Sequence, residues 1–89
     1  MNTSTEAIKT LETAQRHTTE AVNIIDNLLV AHDYQDVASL VGKAAVRLLE
    51  AANWLMQSQD TEALAALESA DDLLDAVYDI IDADLDDVD

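Results

Sequence analysis

Residues 67–82 read LESADDLLDAVYDIID, and this stretch decides the fold. Leu67, Leu74 and Ile81 recur every seven residues, and Val88 continues the series. Ala70 and Val77 fall between them, so apolar steps alternate between three and four, as on one face of an α-helix. Leu73 and Ile80 widen the stripe to the ~100° of a core-facing helix. With Leu67 at heptad position a, Glu68, Asp75, Asp82 and Asp89 fall at b, and Asp72, Asp79 and Asp86 at f. Both positions lie opposite the a/d seam. The pattern that writes an amphipathic helix thus also writes a carboxylate stripe along its back, with Asp71 beside it.

Upstream, Ser58-Gln59-Asp60-Thr61 reads as a turn, with Asp60 a cap for the third helix and Glu62 near its positive end. This helix is expected over about 61–86. Asp84 falls at d and Leu85 shifts the stripe by one, so 84–89 is expected to fray into a short acidic tail. The second helix is expected over about 36–57. Tyr34, Val41, Leu48 and Leu55 repeat at seven there, flanked by the alanine columns Ala38, Ala45, Ala52 and Ala44, Ala51. Between Val37 and Met56, 14 of 20 residues are apolar. A helix apolar nearly all round is central or buried on two sides. The surplus residues Leu40, Val46, Leu49, Trp54 and Met56 are therefore expected to form a dimer surface on helix 2.

The segment His32-Asp33-Tyr34-Gln35-Asp36 interrupts the pattern, and Asp33 or Asp36 is placed to cap helix 2. The first helix is expected over about 4–32. Thr3 and Glu6 have the spacing of a capping box, and Ile8, Leu11, Ala14, Ala21, Val22, Ile25, Leu28 and Leu29 form the stripe. Gln15 and Thr18 interrupt that stripe, so Thr13–Glu20 is expected to be exposed or locally hydrogen-bonded. Short connections force antiparallel neighbours. The reading is all-α: one domain, 1–89, an up-down-up three-helix bundle that dimerises through helix 2.

Composition bounds the function. There is no Cys, no Pro and one Gly, and aromatics are limited to Tyr34, Trp54 and Tyr78. Of the net charge of −15, residues 1–47 hold only −2, because after Arg47 there are 13 carboxylates and no Lys or Arg. Direct nucleic-acid binding needs Lys and Arg for phosphate contacts and is opposed by this charge. No apolar run approaches the ~18 residues of a membrane span, and Met1–Ser4 lacks a basic leader region. A soluble, cytoplasmic protein is expected.

The stripe from Glu68 to Asp89 spans about 31 Å at ~1.5 Å per residue. Residues 68–89 hold ten acids, roughly one per 3.2 Å, against one phosphate per ~3.4 Å along a DNA strand. Six like-charge pairs at i,i+3 or i,i+4, including Glu68/Asp72 and Asp75/Asp79, oppose helix formation by roughly 1–3 kcal/mol in sum. In size and charge the chain resembles the small acidic helical inhibitors that phages make as nucleic-acid mimics. That resemblance implies a phage or mobile-element origin and a basic, nucleic-acid-binding protein as partner. The expected partner surface is Glu68, Asp71, Asp72, Asp75, Asp79, Asp82, Asp86 and Asp89. The bland alternative is a structural or adaptor homodimer whose acids confer solubility alone, as in halophilic adaptation.

Metal and catalytic motifs are weak. Asp82-Ala83-Asp84-Leu85-Asp86 mimics the start of an EF-hand loop, but Asp87 stands where Gly is required. His17 and His32, on a continuous helix, would lie ~22 Å apart and could not share a site. Ser39 and Ser58 lack a His partner. Lys43, Arg47 and Glu50 read as a local ion-pair row. No enzyme, cofactor or metal is expected.

Overall fold

The computed structural model describes the backbone of residues 3–86 and the side chains of residues 3–83. Three helices, α1 (Ser4–Asp26), α2 (Gln35–Met56) and α3 (Asp60–Asp86), follow one another, and no strand occurs among the described residues. The packing is that of a three-helix bundle in which α2 is the central member, set against both α1 and α3. Among the described residues no Cα of α1 lies within 8 Å of a Cα of α3. The helices thus form an open layer measuring 53 × 29 × 20 Å. Its radius of gyration is 15.6 Å, against about 12 Å for a compact chain of this length.

Helix α1 starts as its sequence dictates: Thr3 Oγ1 accepts a hydrogen bond from the Glu6 amide at 3.2 Å. In its polar middle Thr13, Thr18 and Thr19 donate to the carbonyls of Lys9, Ala14 and Gln15, while Gln15 Nε2 is buried without a partner. The helix ends at Asp26 rather than near residue 32. Asn27 Nδ2 takes the Asn23 carbonyl at 2.7 Å, and Gln35 Nε2 takes the Ile25 carbonyl at 2.8 Å. With these terminal acceptors filled, nothing draws Leu28, Leu29 and Val30 into the helix, and all three are exposed.

The start of α2 also differs from expectation. Tyr34, not Asp33 or Asp36, is the capping residue, and it makes no side-chain cap bond. The connector is held by its own side chains: the Tyr34 amide donates to His32 Nδ1 at 3.1 Å, and the His32 amide to Gln35 Oε1 at 3.2 Å. Between α2 and α3, Ser58 adopts φ 59°, its amide donating to the Leu55 carbonyl and that of Gln59 to the Trp54 carbonyl. This is a Schellman closure with serine at the position glycine normally fills. Asp60 is the first helical residue of α3 rather than its cap.

The core is made of small residues. Val22, Ala44, Ala51, Ala63, Ala66, Ala70 and Val77 are buried, and among the described residues no large side chain is fully buried. Gly42 lets α1 approach α2: a Cβ there would meet Val22 Cγ2 at 2.5 Å. The heptad series expected to face inward does the opposite. Tyr34, Val41, Leu48 and Leu55 are all exposed, because α2 meets α3 through Ala44 and Ala51 instead. Leu67 and Ile81 of α3 are likewise exposed. Alanine seams let helix axes approach closely and leave the longer side chains on the flanks.

Candidate functional site

Glu68, Asp72, Asp75, Asp79 and Asp82 of α3 stand where the heptad puts them. Ala63, Ala66, Ala70 and Val77 turn toward α2, and at ~100° per residue the b and f positions turn away from it. Glu68, Asp71, Asp72, Asp75, Asp79 and Asp82 are all exposed on the outer edge of the layer. Asp71 lies toward the flank that also carries Leu67 and Leu74. The α3 backbone is helical through Asp86, so the fraying expected from 84 is absent over 84–86, and the side chain of Asp86 lies outside the described residues. Asp89 lies outside the described residues.

Among the described residues, no cation neutralises this edge. Among the described residues the ion pairs are Lys43 with Asp26 at 3.9 Å and Arg47 with Glu50 at 2.6 Å. Neither involves α3. Lys43 reaches across to α1, whereas Arg47 and Glu50 form the local pair their spacing implies. Both pairs are partly exposed and contribute little stability. The last turn of α3 contains no basic residue, so the dipole there meets only like charge.

The five apolar residues expected to make a dimer surface do not share a face. Leu40, Val46 and Leu49 are half-buried, distributed between the sides of α2 that meet α3 and α1. Trp54 lies in a polar furrow: with Glu50 it lines a cavity of about 310 Å³ beside Glu12 and Gln15 of α1. The same two residues border a second cavity of about 360 Å³, beside Glu62 and Ser69 of α3. Met56 lies on another side, with Leu55, Ala52, Ala7 and Leu11 around an apolar cavity of about 590 Å³. Periodicity alone located the apolar surplus of α2 but not its direction. The signal that locates it is the alanine columns, which mark the sides where neighbours approach.

Among the described residues no group of three or more His, Asp or Glu is arranged to hold a metal ion. His17 is exposed on α1, and His32 is committed to its connector, its ring 6.4 Å from that of Tyr34. Ser39 is buried with its hydroxyl unpartnered, and no histidine serves it. No helix of the described residues is long and apolar enough to cross a membrane. No family model matches the sequence, and neither a curated protein nor a solved structure matches it.

Proposed function

We propose that the chain is a non-enzymatic binding protein that presents the outer edge of α3 to a basic protein, as an inhibitor mimicking the charge of nucleic acid. The observation that carries this reading is the row from Glu68 to Asp82, six exposed carboxylates on one helix without an internal counter-ion. Surface repulsion of this kind costs stability that interspersed lysines would restore. An unneutralised edge keeps its charge available for a partner's Lys and Arg. In this reading the helices run up-down-up with antiparallel neighbours, so α3 is supported along one side and free along the other. The partner is a nucleic-acid-binding protein of the cytoplasm, and the chain itself touches neither nucleic acid nor membrane.

The test is capture from nuclease-treated lysate at low salt, followed by elution with DNA or RNA. Basic proteins are expected to be retained and then displaced by competitor or by salt, since exposed charges are screened beyond ~10 Å at 0.1 M. Reversing Asp75 and Asp79 to Lys is expected to abolish retention while leaving the helical spectrum intact. Retention that survives the reversal refutes the reading. A second reading is favoured by the exposed apolar residues of α2: a structural or adaptor homodimer whose acids serve solubility alone. In that case the reversal changes no interaction.

A further inference from the structure

The open layer has two broad faces, and they differ in chemistry. One carries Lys43, Arg47, Glu50 and Trp54 along α2. On the other, Tyr34, Val41, Leu48 and Leu55 are 53, 46, 46 and 55% exposed. Their seven-residue spacing drifts only ~20° per heptad, so they form one line along the helix. Leu67 and Ile81 of α3, 40 and 39% exposed, lie on the flank of that helix away from Glu62 and Ser69. They therefore open to the same side as Leu48. We propose that this apolar face is a homodimer interface, through which two copies stack layer on layer with their α2 helices at the centre.

Surface area supports a second copy. The chain exposes 6410 Å², whereas a folded monomer of 9.7 kDa is expected to expose about 5,100 Å². That excess of about 1,300 Å² is spread over the whole open layer and its connector, and an interface that used the apolar face would need ~800 Å² of it from each partner. The layer's extents, 53 × 29 Å, provide a footprint for that burial. A core of alanine and valine in a small domain without disulfides leaves stability to be gained from it.

Charge and shape select this chain as its own partner. The central line on α2 contains no charged residue, so two chains of net charge −15 can meet along α2 without opposing carboxylates there, and Asp71, on the Leu67 flank of α3, is set to the side of that line. Face-to-face stacking leaves the α3 edges on the outside of the pair. Leu48 is flanked by Ala45 and Ala52, one turn away on either side. A two-fold axis through α2 sets such large side chains of one copy against the small ones of the other.

Sedimentation equilibrium of the full chain tests this. At roughly 0.5 M NaCl, where the Debye length is about 4 Å, the expected mass is twice 9.7 kDa. Leu48→Lys and, separately, Val41→Lys are expected to raise the dimer dissociation constant by about a hundredfold or more, as for charge placed at an interface centre. Their circular dichroism should stay helical, since both sites are already half exposed. Trp54→Ala, on the opposite face, should leave the dimer intact. A monomer at all concentrations, or a dimer that tolerates both lysines with helicity preserved, overturns the proposal. The inference does not rest on the acidic-edge reading: added salt strengthens this dimer and weakens capture by a basic protein.

Discussion

Gly42→Ala puts a sign on the packing of α1 against α2. In the interior of an exposed helix, alanine is more favourable than glycine by about 0.8–1.0 kcal/mol. Gly42 sits in α2 without a positive φ, so its backbone accepts alanine without strain. The added Cβ, however, would lie 2.5 Å from Val22 Cγ2, where carbons rest at about 3.5–4.0 Å. Val22 is only 6% exposed, and a β-branched residue in a helix has one strongly preferred χ1. It cannot swing clear, so the two helices must part by on the order of 1 Å, at an overpacking cost of about 1–3 kcal/mol. The overpacking outweighs the propensity gain, and a net loss of about 1 kcal/mol is expected.

Urea denaturation followed by circular dichroism, at fixed protein concentration, reads this directly. A double-mutant cycle removes the remaining ambiguity. Val22→Ala alone is expected to cost about 2 kcal/mol from lost burial. In the Gly42→Ala background the clash is gone and the new methyl fills part of the space, so a coupling of about 1 kcal/mol or more is expected. If Gly42→Ala instead stabilises the protein by about 1 kcal/mol, and the two changes add within about 0.5 kcal/mol, α1 does not approach α2 there.

Two further substitutions test the connections. Ser58→Gly should stabilise the protein by about 0.5–1 kcal/mol, because left-handed backbone costs an L-residue about 1–2 kcal/mol and glycine's chain entropy returns part of it. Thermal unfolding should show an upward shift of several degrees, and an unchanged or lowered midpoint counts against the Schellman turn. Gln35→Ala removes the amide that donates to the Ile25 carbonyl at 2.8 Å. It should cost about 1 kcal/mol and speed hydrogen exchange at the end of α1 and through the connector; exchange rates like those of the parent would refute the bridge.

Helix number and order were legible in the sequence because three- and four-residue spacing, turn residues and the Thr3–Glu6 cap all agree. The outward direction of the acids was legible for the same reason. Two features were not. The apolar run through Leu28 and Leu29 looks helical, yet the Asn23 and Ile25 carbonyls before it accept from the side chains of Asn27 and Gln35, the latter ten residues beyond Ile25. A bond across that separation has no signature in local periodicity. The seven-residue series on α2 looks like a seam, yet alanine at Ala44 and Ala51 lets α3 approach on an adjacent side. Large and small residues compete for the same role there, and the small ones win because they permit the shorter interaxial distance.

That outcome bears on how an acidic edge and an apolar face coexist in one small chain. An alanine seam buries little surface per residue, so it supports α3 weakly while like charges along its back oppose the helix. Stacking a second layer on the apolar side would supply the missing burial at Leu67 and Ile81, on the flank of α3 nearest α2, and of the acidic edge it would approach Asp71 while leaving Asp72 and Asp79 outside. The two proposed surfaces thus use different sides of the same helix and need not exclude one another. Their energetics run in opposite directions with salt. Screening relieves repulsion between two copies of charge −15 and equally removes the attraction of Asp75 or Asp79 for a cationic partner. A chain that dimerised through the acidic edge instead would have to place those carboxylates against each other, which is why the proposed dimer is assigned to the face whose centre carries no charge.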